Sequence, residues 1–361
     1  MPDTLPVFSK DEFVKAHKYL AAQVATMMGR KFEENDWTAV YAAAKGIPAA
    51  GWSNLNIDVT HGNLGVEQKM ICRRSRESIL SACGTRIMHP AGTRSIRIPA
   101  VKDATEAARD VLAQYAALID ERTSLVRIAD EYNHKQITRE QAVKRILQIF
   151  PDMKPQVAAK RLSEQPQPVS DAYSAREPDM RIGWFLWQES LVDFLYFEQP
   201  MSKPKPTDYY AEWSESGGGG PRKKSKNLWV YNAKTKVKEF SITTEAGAKI
   251  QPYFTVPTPD DPNLCHFVVQ GEELSPGKYR IWLTHVTASF LRHKLGSLDT
   301  EIVSKAILET NPPSASTPNP DWVFEVKATS IIVSAEAYQA LANKFPVVSD
   351  EHRIHQMLEV I

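Results

Sequence analysis

Three residues in this chain have the types and spacing needed to hydrolyse a phosphodiester. They are Asp58, Glu67 and Lys69, in the stretch NIDVTHGNLGVEQKMICRR. The bridging phosphate is anionic, so an attacking water must be activated against like charge. A divalent cation held by two carboxylates polarises the phosphate and lowers the pKa of bound water. Mg2+ suits that role because it prefers oxygen ligands and usually keeps several waters. A lysine nearby orients or deprotonates the water and stabilises the charge that develops.

Geometry decides whether one sequence can bring these groups together. Residues two apart in a strand share a face, so Glu67 and Lys69 point together if VEQKM is extended. Asp58 ends the preceding strand and returns beside them across a turn from Thr60 to Gly65. Gly62, Asn63 and Gly65 are residue types that such a turn favours.

The arrangement resembles the PD-(D/E)xK nuclease superfamily, to which most type II restriction endonucleases belong. The family places an acid on one strand and acid-x-lysine on the next. Asp58 matches the first acid, Glu67 the second and Lys69 the lysine, with eight residues between the acids. Ile57 stands where the family has a proline, and Gln68 where the middle residue is often apolar. The match covers about a dozen residues. The resemblance implies Mg2+ held by Asp58 and Glu67, with double-stranded DNA as substrate. It also implies a mixed β-sheet flanked by helices and a homodimer, because two strands need two centres. An acid on the preceding helix sometimes adds a metal contact in this superfamily, which brings in Glu33 or Glu34. Acids at a helix start also offset its dipole.

Two further acid-x-lysine triplets compete with the first. Asp152-Met153-Lys154 lies between prolines in a helical region with no strand before it. Glu325-Val326-Lys327 sits on a convincing strand, but its upstream acids are poorly placed. Asp321 is on the same strand, and Asp299 opens a helix. Only the first triplet has strand, turn and strand in order.

The elements around it read as follows. Ser9 and Glu12 form a capping box before a first helix, and Asn35 or Asp36 starts a second that ends at Gly46. A short strand is expected at 95–98. A long helix starts near Thr105, with Val111, Leu112, Tyr115, Leu118 and Ile119 on one stripe. Residues 124–165 read as helical, with a second capping box at Thr138–Gln141 and a stop at Pro151. The helix pair across that proline reads as a helical hairpin, or alternatively as a DNA-binding helix-turn-helix. IGWFLWQESLVDFLYFE, the most apolar stretch, reads as a buried helix. Beyond it the period changes to two in NLWVYN, VKEFSITT, IQPYFTVP, CHFVVQG and YRIWLTHV.

The expected fold is therefore α/β (α+β): a restriction-endonuclease-like mixed sheet flanked by helices, followed by a β-rich C-terminal domain. Length makes two domains the leading expectation for 361 residues. The boundaries fall at 1–165 for cleavage, 166–180 for a Pro-, Ser- and Gln-rich linker, and 181–361 for DNA recognition.

Composition excludes some classes. At 42% hydrophobic and 24% charged, the chain is neither disordered nor a membrane protein, and it has no secretory signal pattern at its start. Cys72, Cys83 and Cys265 form no C-x-x-C pair, which argues against a disulfide framework or structural zinc and suits a cytoplasmic location. Net charge is only +1, yet basic residues cluster. Residues 69–109 hold nine basic residues against three acidic, and 203–249 hold ten against five. Candidate DNA contacts are Arg73, Arg74, Arg76, Arg94 and Arg97 beside the first triplet, with Arg86 and His89 nearby. In the second cluster they are Arg222, Lys223, Lys224 and Lys226, interleaved downstream with Trp229, Tyr231 and Tyr253. Thr243, Thr244 and Gln251 are candidate base readers by position, and His285 and His293 read as structural. The function expected is a Mg2+-dependent, sequence-specific endonuclease. The alternatives are a non-catalytic DNA-binding protein and a repair or structure-specific nuclease.

Overall fold

A computed structural model describes residues 4–27, 31–47, 57–73, 78–91, 96–99, 101–163, 177–216, 225–243, 249–310, 328–345 and 348–359. Glu325, Lys327, Thr244, Arg74, Arg76, Arg94, Arg222, Lys223 and Lys224 lie outside them, as does most of the expected linker. The fold is α+β.

Two helices come first, α1 (Lys10–Thr26) and α2 (Glu34–Lys45). In α1 the Ser9 hydroxyl accepts from the Glu12 N–H while Glu12 reaches back to the Ser9 N–H, closing the expected capping box. Gly46 ends α2 in the left-handed region at φ 68°. The hairpin β1 (Val59–His61) and β2 (Leu64–Arg73) follows, then β3 (Arg86–Met88) and the 30-residue α3 (Ala104–Asn133). The residues expected as a strand at 95–98 are not extended into one where described, at 96–98.

Helices α4 (Arg139–Ile149) and α5 (Pro155–Ser163) pack Ala142, Ile146, Ala158 and Leu162 onto Leu125, Ile128 and Ala129 of α3. Asp152-Met153-Lys154 is the turn between them, so that triplet has no strand to stand on.

The stretch read as a buried helix is instead a pair of strands, β4 (Asp179–Gln188) and β5 (Asp193–Pro200). Its polar break, Glu189-Ser190, is the turn, and Leu191 takes φ 55° there. Apolar residues run without alternation because both faces are covered, and periodicity alone does not separate that pattern from a buried helix.

Strands β6 (Tyr209–Ser216), β7 (Ser225–Asn232), β8 (Lys238–Thr243) and β9 (Lys249–Thr255) form an antiparallel sheet with β3, in the order β3-β9-β8-β7-β6. The chain continues through β10 (Cys265–Val268), β11 (Glu272–Ser275), β12 (Lys278–Thr284), α6 (His285–Leu295), α7 (Thr300–Glu309), β13 (Ala328–Ser334), α8 (Ala335–Lys344) and α9 (Asp350–Leu358). Asp299 caps α7 and His285 opens α6.

The first sheet has the order β1-β2-β4-β5-β10, with β2 and β4 parallel and the other neighbours antiparallel. It joins strands from both sides of the expected 166–180 boundary, so the hairpin belongs to a sheet that 181–361 completes. Helices α1 and α2 cover one face through Trp37, Tyr41, Val66, Phe185 and Tyr196. Helix α3 and the inner face of the second sheet cover the other, where Trp184 stacks on Phe254 at 3.8 Å. Strands β12 and β13 form a third core with α6–α9. Among the described residues, no helix is long and apolar enough to cross a membrane.

Candidate active site

The β1–β2 hairpin delivers the first triplet. Gly62 turns the chain at φ 56°, and the register pairs Val59 with Val66 and Thr60 with Gly65. Gly65 has no side chain because a Cβ there would meet Met180 Sδ at 2.7 Å and Val126 Cγ2 at 3.0 Å. It lets the hairpin sit close against β4 and α3. One step beyond the pairing, Asp58 lies opposite Glu67, and its Oδ2 accepts the Gln68 main-chain N–H at 2.7 Å.

On the α3 side of β2, Glu67 and Lys69 lie together as strand periodicity requires. Lys69 Nζ is 2.8 Å from Glu67 Oε1 and donates to the Gln68 carbonyl at 2.8 Å. Arg122 of α3 reaches Glu67 Oε2 at 3.2 Å from the other side. Both Glu67 and Arg122 are buried, at 8% and 6% exposure, so this charge pairing is shielded from solvent.

The carboxylates compete for too little positive charge. Asp58 is exposed at the surface, yet the protein mass crowded around it desolvates the carboxyl, and Glu67 adds its negative charge. Together these push Asp58 up to about 7, against the opposing pull of Lys69 and the Gln68 N–H. Glu34, at the start of α2, is also raised, first by burial and then by Glu67, with Lys69 opposing. Burial alone would lower Lys69, but Glu67, Glu34 and Asp58 outweigh it and hold the ammonium above its usual range. Lys69 is thus a firm cation at neutral pH, suited to stabilising charge and unsuited to taking a proton. Nearby, burial keeps Tyr115 up at about 12, and burial with the Lys69 charge depresses His89, whose ring meets Trp184 edge-on.

Gln68 faces the opposite side of β2 and is fully buried. The Tyr196 hydroxyl is 3.0 Å from Gln68 Oε1 and 2.8 Å from Glu198, whose other oxygen accepts from Arg181 at 2.7 Å. A Cβ on Gly183 would collide with both the Tyr196 hydroxyl and the Gln68 amide. One tyrosine hydroxyl has a single proton to give and here faces two acceptors, while Gln68 Nε2 has no partner. Turning the amide over lets Nε2 donate to Tyr196 and frees the hydroxyl proton for Glu198. A position expected to be apolar therefore holds an amide because its neighbours on β4 and β5 form a buried polar chain.

The other expected residues scatter. Arg73 ends β2 on the same side as Glu67 and Lys69 by strand parity, half-buried. Arg97 is exposed and lies along α3, where the Gln114 side chain bonds its main-chain N–H and C=O at 2.9 and 2.8 Å. Lys226 is exposed at the start of β7. Glu33 is exposed at the N-cap of α2, so of the two helix-start acids it is Glu34 that enters the field of the triplet. All three cysteines are free thiols.

Sequence reasoning missed Arg122. The signal was present: positions 111, 112, 115, 118, 119 and 122 continue one helical stripe, and a buried arginine at its end requires a buried acid.

The chain matches no protein-family model, no curated protein and no solved structure.

Two facing carboxylates, one of them short of positive charge, are a donor set that suits a hard divalent cation completing its shell with water. Among the described residues no three His, Cys, Asp or Glu side chains already form a metal-holding group.

Proposed function

We propose that this protein is a Mg2+-dependent DNA endonuclease of the type II restriction kind. The proposed centre is Asp58, Glu67 and Lys69 on a restriction-endonuclease-like sheet. The observation that carries the reading is the Asp58–Glu67 pair, two carboxylates held together with Asp58 kept near pH 7. A structural ion pair has no need of the second acid. Asp58 and Glu67 would hold Mg2+, which when bound polarises the phosphate and lowers the pKa of a water. Lys69 stabilises negative charge developing at the phosphate. Arg122 positions Glu67 from behind, and Glu34 adds negative potential at the same place. Arg73 lies on the same face to meet backbone phosphate. A homodimer in the cytoplasm belongs to this reading, since cutting both strands takes two such centres.

One observation favours a second reading, a non-catalytic DNA-binding protein with a structural charge cluster. Glu67 already has two cationic partners.

Plasmid incubated with the protein and Mg2+ separates the two, repeated with Asp58→Ala and Lys69→Ala. Discrete fragments lost in both variants support the nuclease. DNA binding without Mg2+-dependent cutting of any DNA tested rejects it.

A further inference from the structure

The second sheet has an unusual solvent side. Its inner side is ordinary: Leu228, Val230, Ile242, Ile250 and Phe254 are buried against α3 and the first sheet. Strand alternation then turns Trp229 and Tyr231 of β7, Tyr253 of β9 and Tyr210 of β6 outward. The solvent side of an antiparallel sheet is normally polar. Here Trp229 is 38% exposed and Met88 on the edge strand β3 is 44% exposed.

Cations sit over these rings. Lys238 Nζ is 4.1 Å from the Trp229 ring centre and 5.1 Å from that of Tyr253, and Arg86 lies 4.8 Å over Tyr253. Tryptophan, lysine, tyrosine and arginine thus alternate across the neighbouring strands β7, β8, β9 and β3. Towards the other edge Tyr210 and Tyr231 stack at 5.2 Å, with Lys236 5.0 Å over Tyr210. Among the described residues, Arg86, Lys236 and Lys238 face rings and make no salt bridge to a carboxylate, although Glu212 shares this side beside Trp229.

We propose that this outer face is a stacking platform for unpaired bases of single-stranded DNA. Surface rings with cations lying over them supply what a nucleotide needs, the ring for a base that takes the cation's place and the displaced cation for the phosphate. A duplex hides its base faces in its own stack, so aromatic rings across a sheet face favour a strand whose bases are free. The platform faces away from the proposed centre, and what connects them is the residue after its edge strand β3. His89 directly follows β3, packs edge-on against Trp184 and lies in the field of Lys69. The link to cleavage rests on the nuclease reading; the binding does not.

The test is fluorescence polarisation of the full chain in EDTA with a labelled oligothymidylate of about 20 nucleotides, longer than a single stacking site. Trp229→Ala and Tyr253→Ala should each weaken binding roughly tenfold, while Trp229→Phe retains most of it. Lys238→Gln should reduce the salt slope by about 1. Trp229 is at the surface, so its variants should melt like the parent. Unchanged affinity in both alanine variants overturns the platform. So does duplex bound as tightly as single strand, or an RNA oligomer bound more tightly than DNA. If binding depends on the rings but plasmid is never cut, the nuclease reading fails and the platform stands. If plasmid is cut but binding ignores the rings, the platform fails and the nuclease stands.

Discussion

The two sides of strand β2 are built to opposite rules. Towards α1 and α2, Gln68 joins a chain of buried polar groups, Tyr196, Glu198 and Arg181, in which each is bonded to the next and one atom of the Gln68 amide is left over. Towards α3, Glu67 and Lys69 sit with Asp58 and Glu34 in a cluster whose negative charge exceeds what its cations settle. A continuous hydrogen-bonded chain fixes one arrangement of the backbone. A surplus of negative charge is what the proposed Mg2+ would offset. The difference teaches that the strand is anchored from below so that it can carry electrostatic strain above.

The sharpest way to break this contrast is on the upper side. Asp58→Ala or Lys69→Ala should reduce Mg2+-dependent cleavage by about a thousandfold or more, read as initial rates on plasmid. Lys69→Ala, which takes a partner from buried Glu67, should also lower the melting temperature, whereas Asp58→Ala should not. Should both variants unfold instead, the upper side would be structural like the lower.

The next largest effect belongs to the lower side and appears as stability. Gly183→Ala forces a methyl group into the Tyr196 hydroxyl and the Gln68 amide, and should destabilise by about 1–3 kcal/mol in urea unfolding. Tyr196→Phe leaves Gln68 and Glu198 without their shared partner and should cost about 1–3 kcal/mol. Neither change should alter the pH at which the upper side titrates.

A smaller effect sharpens the electrostatic half. Asp58 has its carboxyl raised to about 7 in the folded chain from an ordinary 3.8, so the folded state holds the proton more tightly than the unfolded one. Its stabilising proton is fully present below the ordinary value and is lost as pH rises through about 7. Because Asp58 touches solvent, the penalty at pH 8 is of order 1 kcal/mol after screening. Without divalent ions, Asp58→Asn should therefore melt above the parent at pH 8, and the gap should narrow as pH falls below about 7 and close only near the ordinary carboxylate value. Below pH 7 the parent should bind Mg2+ up to about tenfold more tightly for each unit by which the pH is raised, since binding displaces a proton, and Asp58→Asn should flatten that slope. A titration by calorimetry at several pH values measures both.

The smallest effect expected is at Arg73. Arg73→Ala should weaken duplex binding a few-fold at low salt and lower the salt slope by about 1, with cutting chemistry otherwise intact.

Much of this contrast could be read from residue types, but only for groups whose partners are close in sequence. The hairpin, both capping boxes, the α3 stripe and strands β7, β8, β9, β10 and β12 were legible because each depends on spacing within one element. The Glu67–Lys69 proximity was legible for the same reason. Gln68 was a misfit in sequence because its reasons are Gly183, Tyr196 and Glu198, more than a hundred residues away. Arg122 was hidden in the same way: its stripe was visible, its acid was not. The pair β4 and β5 was misread because an apolar run buried on both faces loses the alternation that marks a strand. The aromatic side of the second sheet was half legible. Its residues stood out, but the pairing of each cation with a ring required the strand order.

Strand β2 pairs in parallel with β4 along its whole length, from Leu64 opposite Asp179 to Arg73 opposite Gln188. During synthesis, the triplet is translated long before the strand that will hold it. Until residues beyond 200 have emerged, β2 presents an open edge and the lower network has no tyrosine, glutamate or arginine. A nascent chain halted at residue 165 would carry every atom of the proposed centre and Arg122 behind it, but neither of the strands β4 and β5 that anchor β2 from below. The centre is thus timed by topology to assemble late, after most of the chain is already made.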